Sequence, residues 1–203
     1  MTTQITSTTE LQAINTMLSF IGEAPVSTIS STTGVGSDVA IAKNILDETS
    51  MSVQAQGWHF NTESEVPLQR DSNNKVILPT NCVHLEVAAP YQATYSYTMR
   101  GGFLYDLKNH TDIFTYNPSV DYVLVQQFED IPQYARHYIA VKAARRFCAR
   151  YMGSLELNKL ALQDEEEAHI TFEQADARAG DYNVLTGNYS QYYIVNRTRT
   201  QVI

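Results

Sequence analysis

The chain has 203 residues, 43% of them hydrophobic and 18% charged, with a formal net charge of −8. This composition is globular rather than disordered, and the length allows one domain or one domain carrying a large insertion. The acid excess argues against general affinity for nucleic acid, which rests on neutralising phosphates, and no apolar run approaches the roughly 20 residues that span a bilayer.

Met1 to Thr9 is polar and threonine-rich, without the charged-then-apolar pattern of a signal peptide, so synthesis is expected in the cytoplasm. A first helix is expected from about Thr9 to Ile21, capped by Thr8 or Thr9. Its buried face is read from Leu11, Ile14, Leu18 and Ile21, and Gly22 ends it as a left-handed cap. After a small-residue loop from Ser30 to Ser37, a second helix starts near Ser37 or Asp38. Ala40 and Ala42 allow close approach of a neighbour, Ile41, Ile45 and Val53 form a face, and Leu46 and Met51 broaden it. Gly57 ends this helix. Trp58 and Phe60 then flank His59, and we read Gly57, Trp58 and Phe60 as a structural junction where the helices meet the next module.

From Asn61 to Phe128 the period changes to two. Val76–Leu78, Leu85–Val87, Tyr95–Tyr97, Phe103–Tyr105, Ile113–Thr115 and Val123–Val125 are the strand candidates. Gly101-Gly102 suits a hairpin turn, because adjacent glycines accept positive φ. Asp130 to Ala179 then reads as two long antiparallel helices joined at Gly153-Ser154, with Asp130 as cap and Pro132 in the first turn. Tyr134, Ala135, Tyr138, Ile139, Val141, Ala143, Phe147, Cys148 and Met152 give the first of them a broad apolar face. That helix is basic (Arg136, Lys142, Arg145, Arg146, Arg150), and the second is acidic (Asp164 to Glu167, Glu173, Asp176). The expected pairing brings Lys142 to Glu165 and Arg136 to Glu173.

The end, Val184 to Ile203, is polar and tyrosine-rich without a clean period. It reads as an arm that orders against another surface. The fold class expected is therefore mainly α with an inserted β module (α+β). A four-helix bundle (1–60 and 129–180) carries a small antiparallel β domain (61–128) between helices two and three, and an extended C-terminal arm follows (181–203).

No nucleophile elbow, phosphate-binding loop, HExxH or CxxC pair is present, so no cofactor, metal or catalytic residue is assigned. His137 and His169 read as solvated or core histidines, Asp164–Glu167 as a solvated or arginine-paired face, and Glu23 lacks a second carboxylate placed beside it. Cys82 and Cys148 read as free thiols.

The run Glu10-Leu11-Gln12-Ala13-Ile14-Asn15, then Ile21-Gly22-Glu23-Ala24-Pro25-Val26-Ser27, resembles the opening of the tail tubular protein A family, the head-to-tail adaptors of short-tailed phages. Ala42–Leu46, the block Gln56-Gly57-Trp58-His59-Phe60-Asn61 with its Gly-Trp-x-Phe-Asn signature, Arg100–Asp106, Phe128–Pro132, Lys142–Phe147 and Glu165–Glu167 extend it. The matches run in order from Glu10 to about Leu185. The resemblance implies a structural protein of the virion tail. It implies a homododecameric ring between the portal protein and the tail nozzle, with genomic DNA passing through the channel without sequence-specific binding and without a membrane. Tyr189, Tyr192, Tyr193, Arg197 and Arg199 of the arm are then expected to contact the portal or a neighbouring subunit. Two rival readings are a cell-wall hydrolase, tested at Glu23 and His59, and a DNA-binding module using the basic helix.

Overall fold

A computed structural model describes residues 6–29, 37–151 and 155–180. Four helices, α1 (Glu10–Phe20), α2 (Ser37–Gln54), α3 (Gln133–Tyr151) and α4 (Leu155–Ala179), enclose five strands in the sequence. The strands are β1 (Thr62–Pro67), β2 (Cys82–Val87), β3 (Tyr97–Arg100), β4 (Phe103–Asp106) and β5 (Ser119–Leu124), all between α2 and α3. The fold is thus α-dominated with an inserted antiparallel β module.

Thr9 caps α1 through a reciprocal pair. Its hydroxyl accepts the Gln12 amide, and the Gln12 side chain accepts the Thr9 amide. The buried stripe of α1 is Ala13, Ile14, Met17 and Leu18; Leu11 and Ile21 are half-buried, so the expected face was centred about one position off. In α2, Ala42, Ile45, Leu46 and Val53 are buried, but Ala40, Ile41 and Met51 are exposed.

Helix α3 is the hub and packs against α1, α2 and α4. Its buried face alternates bulk with small residues: Ala135, Tyr138, Ile139, Ala140, Ala143, Ala144, Phe147 and Cys148. The alanines let neighbouring backbones approach, and the rings and Ile139 fill the interior. Asp130 lies too far upstream to cap this helix. The first amides, of Ala135 and Arg136, close onto the Pro132 carbonyl at 3.0 Å each. The α3–α4 connection, with Met152, Gly153 and Ser154, lies outside the described residues.

β5 is the centre of a three-stranded antiparallel sheet, ordered β1-β5-β2, and β3-β4 form a separate hairpin. Gly101 and Gly102 both take positive φ (58° and 82°) in that hairpin, as the turn requires. Strand β1 was absent from the sequence reading because Thr-Glu-Ser-Glu has no apolar face to mark it. Pairing onto β5 forms it, with a register shift between Glu63 and Val66. The expected strand at Val76–Leu78 is reduced to isolated bridges to Arg70 and Phe103, and Ile113–Thr115 forms no strand. Alternation there records burial of Val76, Leu78 and Phe114 without a partner strand long enough for a ladder.

The buried side chains fall into two clusters. One joins α1 to α4 and includes Phe128; the other, around Leu85, Tyr97, Leu104, Phe114, Val120 and Tyr122, lies within the β module.

Candidate functional site

The chain crosses between the two clusters twice, at residues 55–61 and again at 125–128. Both crossings are held together by side chains. Gln54, at the end of α2, is fully buried. Its amide clasps one residue of the returning strand: Gln54 Oε1 accepts the Gln126 backbone amide (2.8 Å), and Gln54 Nε2 donates to the Gln126 carbonyl (3.0 Å). A side chain here does what a neighbouring strand does in a sheet, pairing both backbone groups. Asn61 ties the same point from the other side. Its Nδ2 donates to the Gln54 carbonyl (2.8 Å) and the Leu124 carbonyl (3.0 Å), and its Oδ1 accepts the Trp58 amide (2.8 Å).

Gly57 makes the tight entry possible. It has φ +76°, and a Cβ there would lie 3.1 Å from Val123 Cγ2. The backbone conformation strains any other residue here, and a Cβ would also need Val123 to shift by a few tenths of an ångström. Helix α2 ends at Gln54, before this glycine, and the Gly57 amide returns to the Gln54 carbonyl at 3.1 Å. Trp58 is half-buried against the helical cluster. Its indole donates to the Val53 carbonyl at 2.7 Å, and its ring meets Phe172 of α4 edge-on at 4.2 Å between centroids. Phe60 meets Tyr134 edge-on at 6.4 Å. Asp176 of α4 accepts the His59 amide at 3.0 Å.

Gln54, Gln126 and Asp176 escaped sequence reasoning. The one signal was Asn61, the last residue of the Gly-Trp-x-Phe-Asn block, whose polarity among large rings makes sense only as a multiple hydrogen-bonder.

The charges of α3 meet expectation at Lys142, which pairs with Glu165, and depart from it at Arg136. Lys142 (3.8 Å) and Arg145 both meet Glu165 of α4, which is buried. Arg136 does not reach Glu173. It turns back to the carbonyls of Ile131 (2.7 Å), Thr8 (3.1 Å) and Glu129, tying the N-terminal segment to the start of α3. Glu173 pairs with His169, one helical turn away on α4, at 3.6 Å. Arg146 donates to the Thr49 hydroxyl (3.2 Å), and Arg150 grips Glu48 with two bonds (3.0 and 3.1 Å). The basic helix is therefore engaged from two sides, by Glu48 and Thr49 of α2 and Glu165 of α4, and its cations face protein oxygens.

A second feature is a cleft in the β module, of about 280 Å³, lined by Tyr91, Tyr95, Tyr97 and Tyr116 with Asn117 and Ser119. Burial, and then the bond to Tyr116, push the Tyr97 hydroxyl far above the usual phenol range.

Both cysteines are free thiols. Among the described residues no three His, Cys, Asp or Glu side chains are grouped to hold a metal ion, and no helix is long and apolar enough to cross a membrane. His137 is exposed, and His169 packs edge-on against Tyr138 (5.0 Å). Tyr189, Tyr192, Tyr193, Arg197 and Arg199 lie outside the described residues.

No curated protein matches the chain. The family model for tail tubular proteins matches residues 11–182, a span that holds all but the first residue of the four described helices, with both sheets and the clasped crossings, and the chain belongs to that family of virion-tail components.

Proposed function

We propose that the chain is a structural head-to-tail adaptor that closes into a ring, a dodecamer, between the portal protein and the tail nozzle, with DNA passing through its channel. One observation carries the assembly reading. On α4, Leu162, Glu166 and Ile170 follow at four-residue spacing on one exposed stripe, with Leu162 41% and Ile170 55% exposed. α4 spends its inner face on Ala161, Ala168 and Phe172, so Leu162 and Ile170 are left exposed among the described residues. A ring needs such a surface, because one face of each subunit must meet a different face of the next. The net charge of −8 suits a channel that passes DNA without holding it. The arm residues Tyr189, Tyr192, Tyr193, Arg197 and Arg199 supply rings and guanidinium forks toward the portal or a neighbouring subunit.

The test is assembly of the full chain with its portal, followed by electron microscopy and sedimentation. Leu162→Asp with Ile170→Asp should give a folded monomer, with unchanged helical circular dichroism, that forms no ring on the portal. Rings of normal size from the double variant would reject α4 as the subunit contact.

A further inference from the structure

The tyrosine cleft has no part in the ring reading, and its chemistry selects an occupant. Tyr95 and Tyr97 stack with centroids 5.7 Å apart, and Tyr116 lies 5.3 Å from Tyr95. The Tyr97 and Tyr116 hydroxyls are 2.8 Å apart. At about 280 Å³ the cleft falls below the usual small-molecule site of roughly 300–1,000 Å³, so it suits one side chain rather than a whole cofactor.

A carboxylate sits behind these rings. Asp106 pairs opposite Tyr97 in the β3–β4 ladder, which puts both on one face, and it is 2% exposed. Its oxygens accept the Lys108 amide (2.8 Å), the Asn109 amide (3.0 Å) and Asn109 Nδ2 (2.8 Å). Burial opposes its ionisation, but these bonds outweigh burial and hold the carboxyl below its ordinary range, so it is charged at neutral pH. Among the described residues no basic side chain lies within ion-pair distance of Asp106; the Lys108 charge acts on it from farther off, its ammonium bonded to the Thr94 carbonyl (2.8 Å). Arg70 bonds Asn117, Asn74 and the Phe114 carbonyl and does not line the cleft. Ring faces above a buried carboxylate attract a cation, and a guanidinium adds flat stacking and donors for the phenol oxygens. The same hairpin already shows the pairing, with the Arg100 guanidinium 3.9 Å over the Tyr105 ring.

We propose that in the free subunit, before the ring and portal engage the arm, this cleft receives an arginine, Arg197 or Arg199, of the chain's own C-terminal segment, residues 181–203. Charge and reach both favour that occupant. The segment carries these two cations against a single acid, Asp181. Gly180 lies one helical turn past Asp176, the residue that accepts the His59 amide at the crossing. The cleft is at the Ser119 end of β5 and the crossing at its Leu124 end, about 17 Å apart at the rise of a strand. Chain from Gly180 to Arg197 extends up to roughly 55 Å, ample for that distance.

The test is photo-crosslinking of the full-length chain with p-benzoylphenylalanine in place of Tyr91, which is 49% exposed at the cleft. Mass spectrometry should find the crosslink on peptides from the C-terminal segment. In the same chain, Arg197→Gln with Arg199→Gln should lower its yield at least tenfold, and excess arginine amide, but not citrulline amide, should compete. Crosslinks that map elsewhere, or a yield that ignores both arginines, would overturn the proposal.

Discussion

The helices and the β module fill their interiors with different chemistry. The helical cluster is closed mainly by groups that neither ionise nor bond: Ile14, Met17, Leu18, Leu46, Ile139, Phe147 and Phe172 are all at most 2% exposed. The β cluster is closed in part by phenols. Tyr97 and Tyr122 are buried with their hydroxyls bonded to Tyr116 (2.8 Å) and Glu63 (2.9 Å), and Asp106 lies buried beside them. The first interior is held by apolar burial, with the ionisable Glu165 and Asp176 kept to its edge. The second keeps its shape only while those phenols stay protonated, since each bond needs a neutral hydroxyl. Between the two stands a polar clasp, Gln54, Asn61 and Gln126, that belongs to neither.

The sharpest break in that comparison is Trp58→Ala. Trp58 sits at the entrance to the sheet but packs with the helices on Phe172, so its loss should cost roughly 3–5 kcal/mol. The denaturant midpoint of the helical signal should fall accordingly, and a midpoint that hardly moves would remove Trp58 from the junction. Next is Gln54→Ala, which leaves the Gln126 amide and carbonyl without their partner at a half-buried point. A cost of about 1–3 kcal/mol is expected, seen in helical and tyrosine signals together because the clasp serves both parts. A change confined to one signal would show that the clasp does not couple them.

The smallest effect is on pH. Burial first, and then Glu63, raise the Tyr122 phenol to about 12. A group whose folded pKa is raised stabilises the fold fully below its unfolded value, near 10, and loses that contribution as pH climbs to the folded value. Tyrosine absorbance and near-ultraviolet dichroism should therefore change from about pH 10 to 12 before helical dichroism does. Tyr122→Phe should remove its share of that transition. Simultaneous loss of both signals would erase the contrast.

These residues also show what was readable from the chain alone. Helix positions were legible because α1, α2 and α3 each carry local signals: Thr9 as a cap, Gly57 just past the end of α2, and a broad apolar face on α3; the Asp130 cap was not, because the chain starts α3 only at Gln133. The hairpin at Gly101-Gly102 was legible for the same reason. Strand β1 was not, because Thr62 to Glu65 form a strand only through β5, distant in sequence. The clasp was hidden because glutamine is ordinarily a surface residue, and nothing local marks Gln54 as buried. Arg136 was misassigned because helical phase fixes which side a charge faces, not which carbonyls a preceding turn delivers to it.

The central claim is that the helical fold (1–60 and 129–180) is self-sufficient and carries the β module (61–128) as an insertion closed at the clasp, a division we propose. The register offers a direct test. Thr62 pairs with Val123, so Glu63 to Val123 can be replaced by a short Gly/Ser loop while Gln54, Asn61, Leu124, Gln126 and Phe128 remain. Thermal unfolding of that chain, followed by helical dichroism and calorimetry, should give one cooperative transition. A broad, non-cooperative loss of helix would contradict the account.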